Sequence, residues 1–83
     1  MRAIIRERML KSINDQLKKH DFERKFVMRV ITESRWLSRQ YIVKMTNKED
    51  KEFSQNFYFK NLIEAINYAR KIDRNILEER KIK

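Results

Sequence analysis

The sequence contains no glycine, no proline and no cysteine. Without glycine there is no Walker-type phosphate loop, no GxGxxG turn and no nucleophile elbow. Tight turns fall instead to Asn, Asp, Ser and Lys, which tolerate them less easily. Without cysteine there is no disulfide framework and no thiolate zinc site. His20 is the single histidine, and one imidazole with no thiol beside it does not hold a metal. No apolar run approaches the ~20 residues of a membrane span. The first residues, Met1 to Arg8, lack the apolar stretch of a signal peptide. The expectation is a cytoplasmic protein with no metal, no cofactor and no membrane partner.

What is present is charge and bulk. The chain has 83 residues, 41% of them hydrophobic and 40% charged, with five Phe, three Tyr and one Trp. That length predicts a single domain over residues 1–83. The aromatic and aliphatic content predicts a folded core beneath a charged surface. The 21 basic and 12 acidic residues leave a net charge of +9. Such an excess draws nucleic acid, an acidic protein or an anionic surface. A lysine-rich solvated surface is the plain alternative.

Hydrophobic spacing predicts the elements. Ile5, Met9, Ile13 and Leu17 recur every four residues, which predicts a helix over residues 3 to about 20 with His20-Asp21 as its stop. Residues 26–32 are β-branched and aromatic and predict a strand. Residues 36–46 predict a second strand, joined to the first through Glu33-Ser34-Arg35. The polar run 47–52 reads as a turn, and residues 53–59 predict a third strand. Asn61 followed by Glu64 resembles a capping box. Leu62, Ala65, Ile66, Ala69, Ile72 and Ile76 then mark the apolar stripe of a last helix, with residues 78–83 expected to fray. The predicted fold class is α+β: a two-layer α-β-β-β-α domain, with a three-stranded antiparallel meander sheet and both helices on one face.

Alternation assigns the strand faces. Phe53, Phe57 and Phe59 share a side, which predicts that they face the helices. Leu37, Tyr41, Val43 and Met45 share a side with Arg39. The outer face is then expected to present Arg29, Trp36, Gln40, Lys44, Asn56 and Tyr58, among the apolar Val27, Ile31 and Ile42. Cations meet phosphates and rings stack on bases, so Arg29, Arg35, Trp36, Lys44 and Tyr58 are candidates for nucleic-acid contact. Residues 26–45 carry Arg29, Arg35, Arg39 and Lys44 against Glu33 alone, whereas residues 46–60 are neutral. Arg70, Lys71 and Arg74, on the solvent side of the last helix, form a second candidate patch. Solvation alone also accounts for such a helix face.

Two charges fall at apolar positions. Arg39 shares the inner side of the second strand, and Asp73 lies in the stripe of the last helix. Either they form a buried pair or each lies wet beyond the core edge. For catalysis, the four serines have only His20 as a base, with no spacing that suggests a triad. The carboxylates sit mostly beside Lys or Arg. No enzyme activity is expected.

The element order resembles that of double-stranded-RNA-binding domains. Those domains place a basic cluster at the start of their last helix, where this chain reads Asn61-Leu62-Ile63-Glu64 after Lys60. The last three strands and helix are similar in order to the β-β-β-α modules of integrase arm-binding domains. The glycine-free, Lys/Ile/Asn-rich composition is similar to that of small accessory proteins of AT-rich phages, which often bind and inhibit a host enzyme. The expected function is non-catalytic binding of RNA, favoured over DNA, by its phosphate backbone and with little sequence specificity. The alternative is a phage-type accessory protein that docks on a host enzyme or toxin, an acidic protein or a ribonucleoprotein. Val27, Ile31 and Ile42 favour that alternative. A homodimer joined through the sheet face is a third reading.

Overall fold

In a computed structural model the chain runs α1 (Ala3–Lys19), β1 (Phe26–Arg35), β2 (Ser38–Asn47), β3 (Ser54–Phe59) and α2 (Leu62–Ile82). A short 3-10 turn, Asp21–Glu23, links α1 to β1. The structure describes residues 3–36 and 38–82, apart from the side chains of residues 3, 35 and 77–82. Leu37 and the Arg35 side chain, both given roles above, therefore lie outside the described residues.

The strands form one antiparallel sheet in the order β1-β2-β3, and both helices pack against it, as the α+β reading expects. β1 and β2 pair from Phe26↔Asn47 to Arg35↔Ser38. Glu33, Ser34 and Arg35 therefore belong to the ladder and not to the connection, and Trp36 follows it in a turn. Ser34 is exposed at this end of the sheet, so its polarity does not end the strand. β3 pairs with β2 from Tyr41↔Phe59 to Thr46↔Ser54.

Alternation puts Met28, Val30, Tyr41 and Val43 on the helix side, where all four are buried with Ile13 and Leu17 of α1 and Leu62, Ala65, Ile66 and Ala69 of α2. α2 packs on all three strands, most on β2, and α1 packs on β1. Phe57 and Phe59 tilt against Tyr68 of α2, with centroids 5.1 and 5.3 Å apart. Phe53 departs from the expected pattern. It precedes β3 at the end of the sheet, beyond the helices, and is 71% exposed. Ile5 is likewise exposed in the first turns of α1, away from the core.

Side chains do what glycine does elsewhere. Asn47 Oδ1 accepts from the backbone N–H of Glu49 and Asp50, and Asp50 Oδ1 accepts from Glu52. These short polar side chains hold the β2–β3 turn without glycine, and the described residues contain no positive φ. Asn61 caps α2 through Oδ1, which accepts from Ile63 N–H at 2.7 Å and Glu64 N–H at 3.4 Å. No reciprocal bond from Glu64 is made, so the cap is half of the expected box.

Candidate functional site

Cross-strand register arranges the outer sheet face in rows. Val27, Thr46 and Ser54 form one row, Arg29, Lys44 and Asn56 the next, and Ile31, Ile42 and Tyr58 a third; Glu33 and Gln40 follow. The third row is apolar. Its centre, Ile42, is only 4% exposed, because Ile31 and Tyr58 flank it on a central strand. Ile31 and Tyr58 are 40% and 54% exposed.

The charge on this face is lower than the sequence implies. Arg29 donates to both carboxylate oxygens of Asp21, Nη1 to Oδ1 at 2.9 Å and Nη2 to Oδ2 at 2.6 Å. That bidentate bond raises the Arg29 guanidinium above its ordinary pKa. It also leaves Lys44 as the exposed cation of its row. Trp36 stands in the β1–β2 connection at 97% exposure.

Arg70, Lys71 and Arg74 are exposed on α2. Since α2 covers the inner side of the sheet, these three face away from Arg29, Lys44 and Tyr58. The structure thus divides the candidate residues between opposite sides of the molecule. α1 touches α2 in the helix layer and adds exposed Arg8, Lys11, Lys18 and Lys19. An open groove along α1 is bordered by Arg8, Lys11, Asp15 and Lys19. Of these helix-layer cations only Lys11 has an ion-pair partner among the described residues, Asp15 at 3.1 Å.

The expected Arg39–Asp73 pair does not form. Arg39 is exposed, because it lies near the hairpin end beyond the reach of α2. Asp73 is 5% exposed and pairs with Arg24 and His20. His20 Nδ1 lies 2.6 Å from Asp73 Oδ2. Arg24 Nε lies 3.2 Å from Asp73 Oδ1, without hydrogen-bond alignment. Arg24 Nη2 donates to the Leu17 carbonyl and to Asp21 Oδ1. Burial pulls the Arg24 guanidinium below its ordinary pKa, against the opposing pull of Asp73 and Asp21. Its Nη1 is buried with no hydrogen-bond partner. Arg24 is missed by sequence reasoning because it sits in a short connecting run, Phe22-Glu23-Arg24-Lys25, with no periodicity to flag burial.

Asp21 therefore joins the buried Arg24 to the outer-face Arg29. The Arg29 hydrogen bond, with the charges of Arg29, Arg24 and Lys48, holds the Asp21 carboxyl below its usual range against the opposing effect of burial. A depressed carboxylate stabilises the fold fully above its unfolded pKa of about 3.9, and that contribution is lost as pH falls through the lower folded value. Denaturant midpoints followed by circular dichroism are expected to hold steady down to pH ~5 and to drop below pH ~4. Asp21→Asn is expected to flatten that drop. An unchanged acid limb in the variant would show that Asp21 does not carry it.

Among the described residues no group of three or more His, Cys, Asp or Glu could hold a metal ion, and no helix is long and apolar enough to cross a membrane. Comparison with protein-family models, with curated proteins and with solved structures found no match.

Proposed function

We propose that this protein is a non-catalytic binder of nucleic acid, RNA in preference to DNA, that grips the phosphate backbone with little choice of sequence. The observation that carries this reading is the cation layer on the two helices. Arg8, Lys18, Lys19, Arg70, Lys71 and Arg74 are exposed and make no ion pair with the described residues. Free cations release counterions from a phosphate backbone when they bind it. Lys44 and the exposed rings of Trp36 and Tyr58 form a weaker second surface on the sheet side. Exposed rings suit the unstacked bases of single-stranded RNA, which favours RNA over a DNA duplex.

Titration of labelled single-stranded RNA, duplex RNA and single-stranded DNA against the protein at several salt concentrations tests this. Arg70→Glu with Arg74→Glu is expected to weaken RNA binding about tenfold or more and to flatten the salt dependence. Arg29→Glu with Lys44→Glu is expected to matter less, since Arg29 is already held by Asp21. If neither pair changes affinity or salt slope, phosphate contact through these surfaces is wrong.

The row Ile31–Ile42–Tyr58 favours a second reading, in which the outer sheet face docks on a host enzyme or toxin. Capture of partners from lysate with and without RNase separates the two. One stoichiometric protein that survives RNase, with binding lost in Ile31→Glu, would establish the second.

A further inference from the structure

The two edges of the sheet are treated differently. At the β1 edge, Asn14 of α1 bonds the strand backbone twice: Nδ2 donates to Val30 C=O at 2.9 Å, and Oδ1 accepts from Val30 N–H at 2.8 Å. The side-chain amide thus stands in for a neighbouring strand. At the β3 edge no described residue does the same. Edge strands are usually blunted by lysine, proline or a bulge. β3 reads Ser-Gln-Asn-Phe-Tyr-Phe, with no charge and no proline.

Which backbone groups face out follows from register. Val30 points its N–H and C=O away from β2, so its partner Val43 points towards β3 and bonds Phe57. Phe53 C=O accepts from Asn47 N–H at 3.0 Å, in the same phase. Ser54, Asn56 and Tyr58 therefore turn their N–H and C=O groups to the open edge.

We propose that β3 pairs antiparallel with β3 of a second copy of this chain about a two-fold axis at Asn56, so that two three-stranded sheets join into one of six strands. This register sets Asn56 against the partner's Asn56 and Ser54 against the partner's Tyr58, and so satisfies the outward backbone groups of all three residues on both sides. It sets Phe53, 71% exposed when alone, against the partner's Phe59. Beyond the strand it sets Glu52 against the partner's Lys60 at both ends, an opposite-charge pair. Although each chain carries +9, the joining segments carry no net charge, because Glu52 offsets Lys60. α2 contacts β2 most and the joining strand β3 least, so most of the helix is set back from the joining edge. The dimer does not depend on nucleic-acid binding.

Sedimentation equilibrium of the full chain, free of nucleic acid, at concentrations up to about 200 µM, tests this. The expected mass is twice 10.4 kDa. Asn56→Pro removes an outward N–H, which an edge strand tolerates, and is expected to abolish the dimer while circular dichroism is unchanged. Glu52→Lys alone and Lys60→Glu alone are each expected to weaken dimerisation about tenfold, and the two together to restore it. These last variants keep the test decisive if Asn56→Pro does not fold. A mass of one chain at every concentration overturns the proposal, as does a dimer indifferent to all of these substitutions.

Discussion

Asp73→Ala is expected to cost about 3–5 kcal/mol of folding stability, because it strips the carboxylate from a buried guanidinium. Arg24 is 3% exposed, and its Nη1 already lacks a hydrogen-bond partner. Its remaining polar contacts, the Leu17 carbonyl and Asp21, both fall on Nη2 and leave Nε and Nη1 unserved. A domain of this size has in total roughly 4–12 kcal/mol, at about 0.05–0.15 per residue. The variant is therefore expected to be largely unfolded near 37 °C. His20 loses its 2.6 Å partner at the same time. The double variant Arg24→Met with Asp73→Leu is expected to recover most of the loss, since a buried ion pair and a well-packed apolar replacement are often close in free energy. Urea unfolding followed by circular dichroism gives both values. A loss below about 1 kcal/mol in Asp73→Ala would mean that Arg24 reaches water in the folded protein, against its observed burial.

Asn14→Leu is the second large effect, on the order of 2 kcal/mol, because it leaves the Val30 N–H and C=O at the β1 edge without partners. The side chain keeps its volume and gains hydrophobicity, so a loss isolates the hydrogen bonds. Asn14→Asp is expected to be worse. It keeps the acceptor for Val30 N–H and sets a carboxylate against the Val30 carbonyl. Hydrogen exchange at the Val30 amide gives the residue-level readout. Its protection should fall while amides in the middle of β2 keep theirs at mild denaturant. If Val30 exchange is unchanged in Asn14→Leu, another group satisfies the edge. Because an uncovered edge invites pairing with other chains, the variant is also expected to aggregate more readily.

The helix stripe of α2, the strand alternation through Tyr41, Val43, Phe57 and Phe59, and the polar turn after Asn47 were legible in the sequence. Each depends on short-range period or local turn chemistry. The candidate surface was legible only in part. Arg70, Lys71 and Arg74 are exposed where the helical period puts them. Arg29 lies on the outer face, where alternation puts it, but its charge is taken by Asp21, eight residues away. That pairing depends on the path of the 3-10 turn around the β1 edge. No period encodes that path.

Period and composition by themselves determined the element order, the inward faces of the helices and strands, and a surplus of cations with no cysteine chemistry. Only the tertiary structure decided which charges are used up inside the molecule. Asp73 is 53 residues from His20 and on another element from Arg24, and the three meet because α1, the connecting turn and α2 converge over β1. Tertiary structure also decided that Asn14 closes one edge of the sheet and leaves β3 open at the other. Hydrogen-bond satisfaction at an edge depends on what packs beside it, which the sequence of the strand does not state.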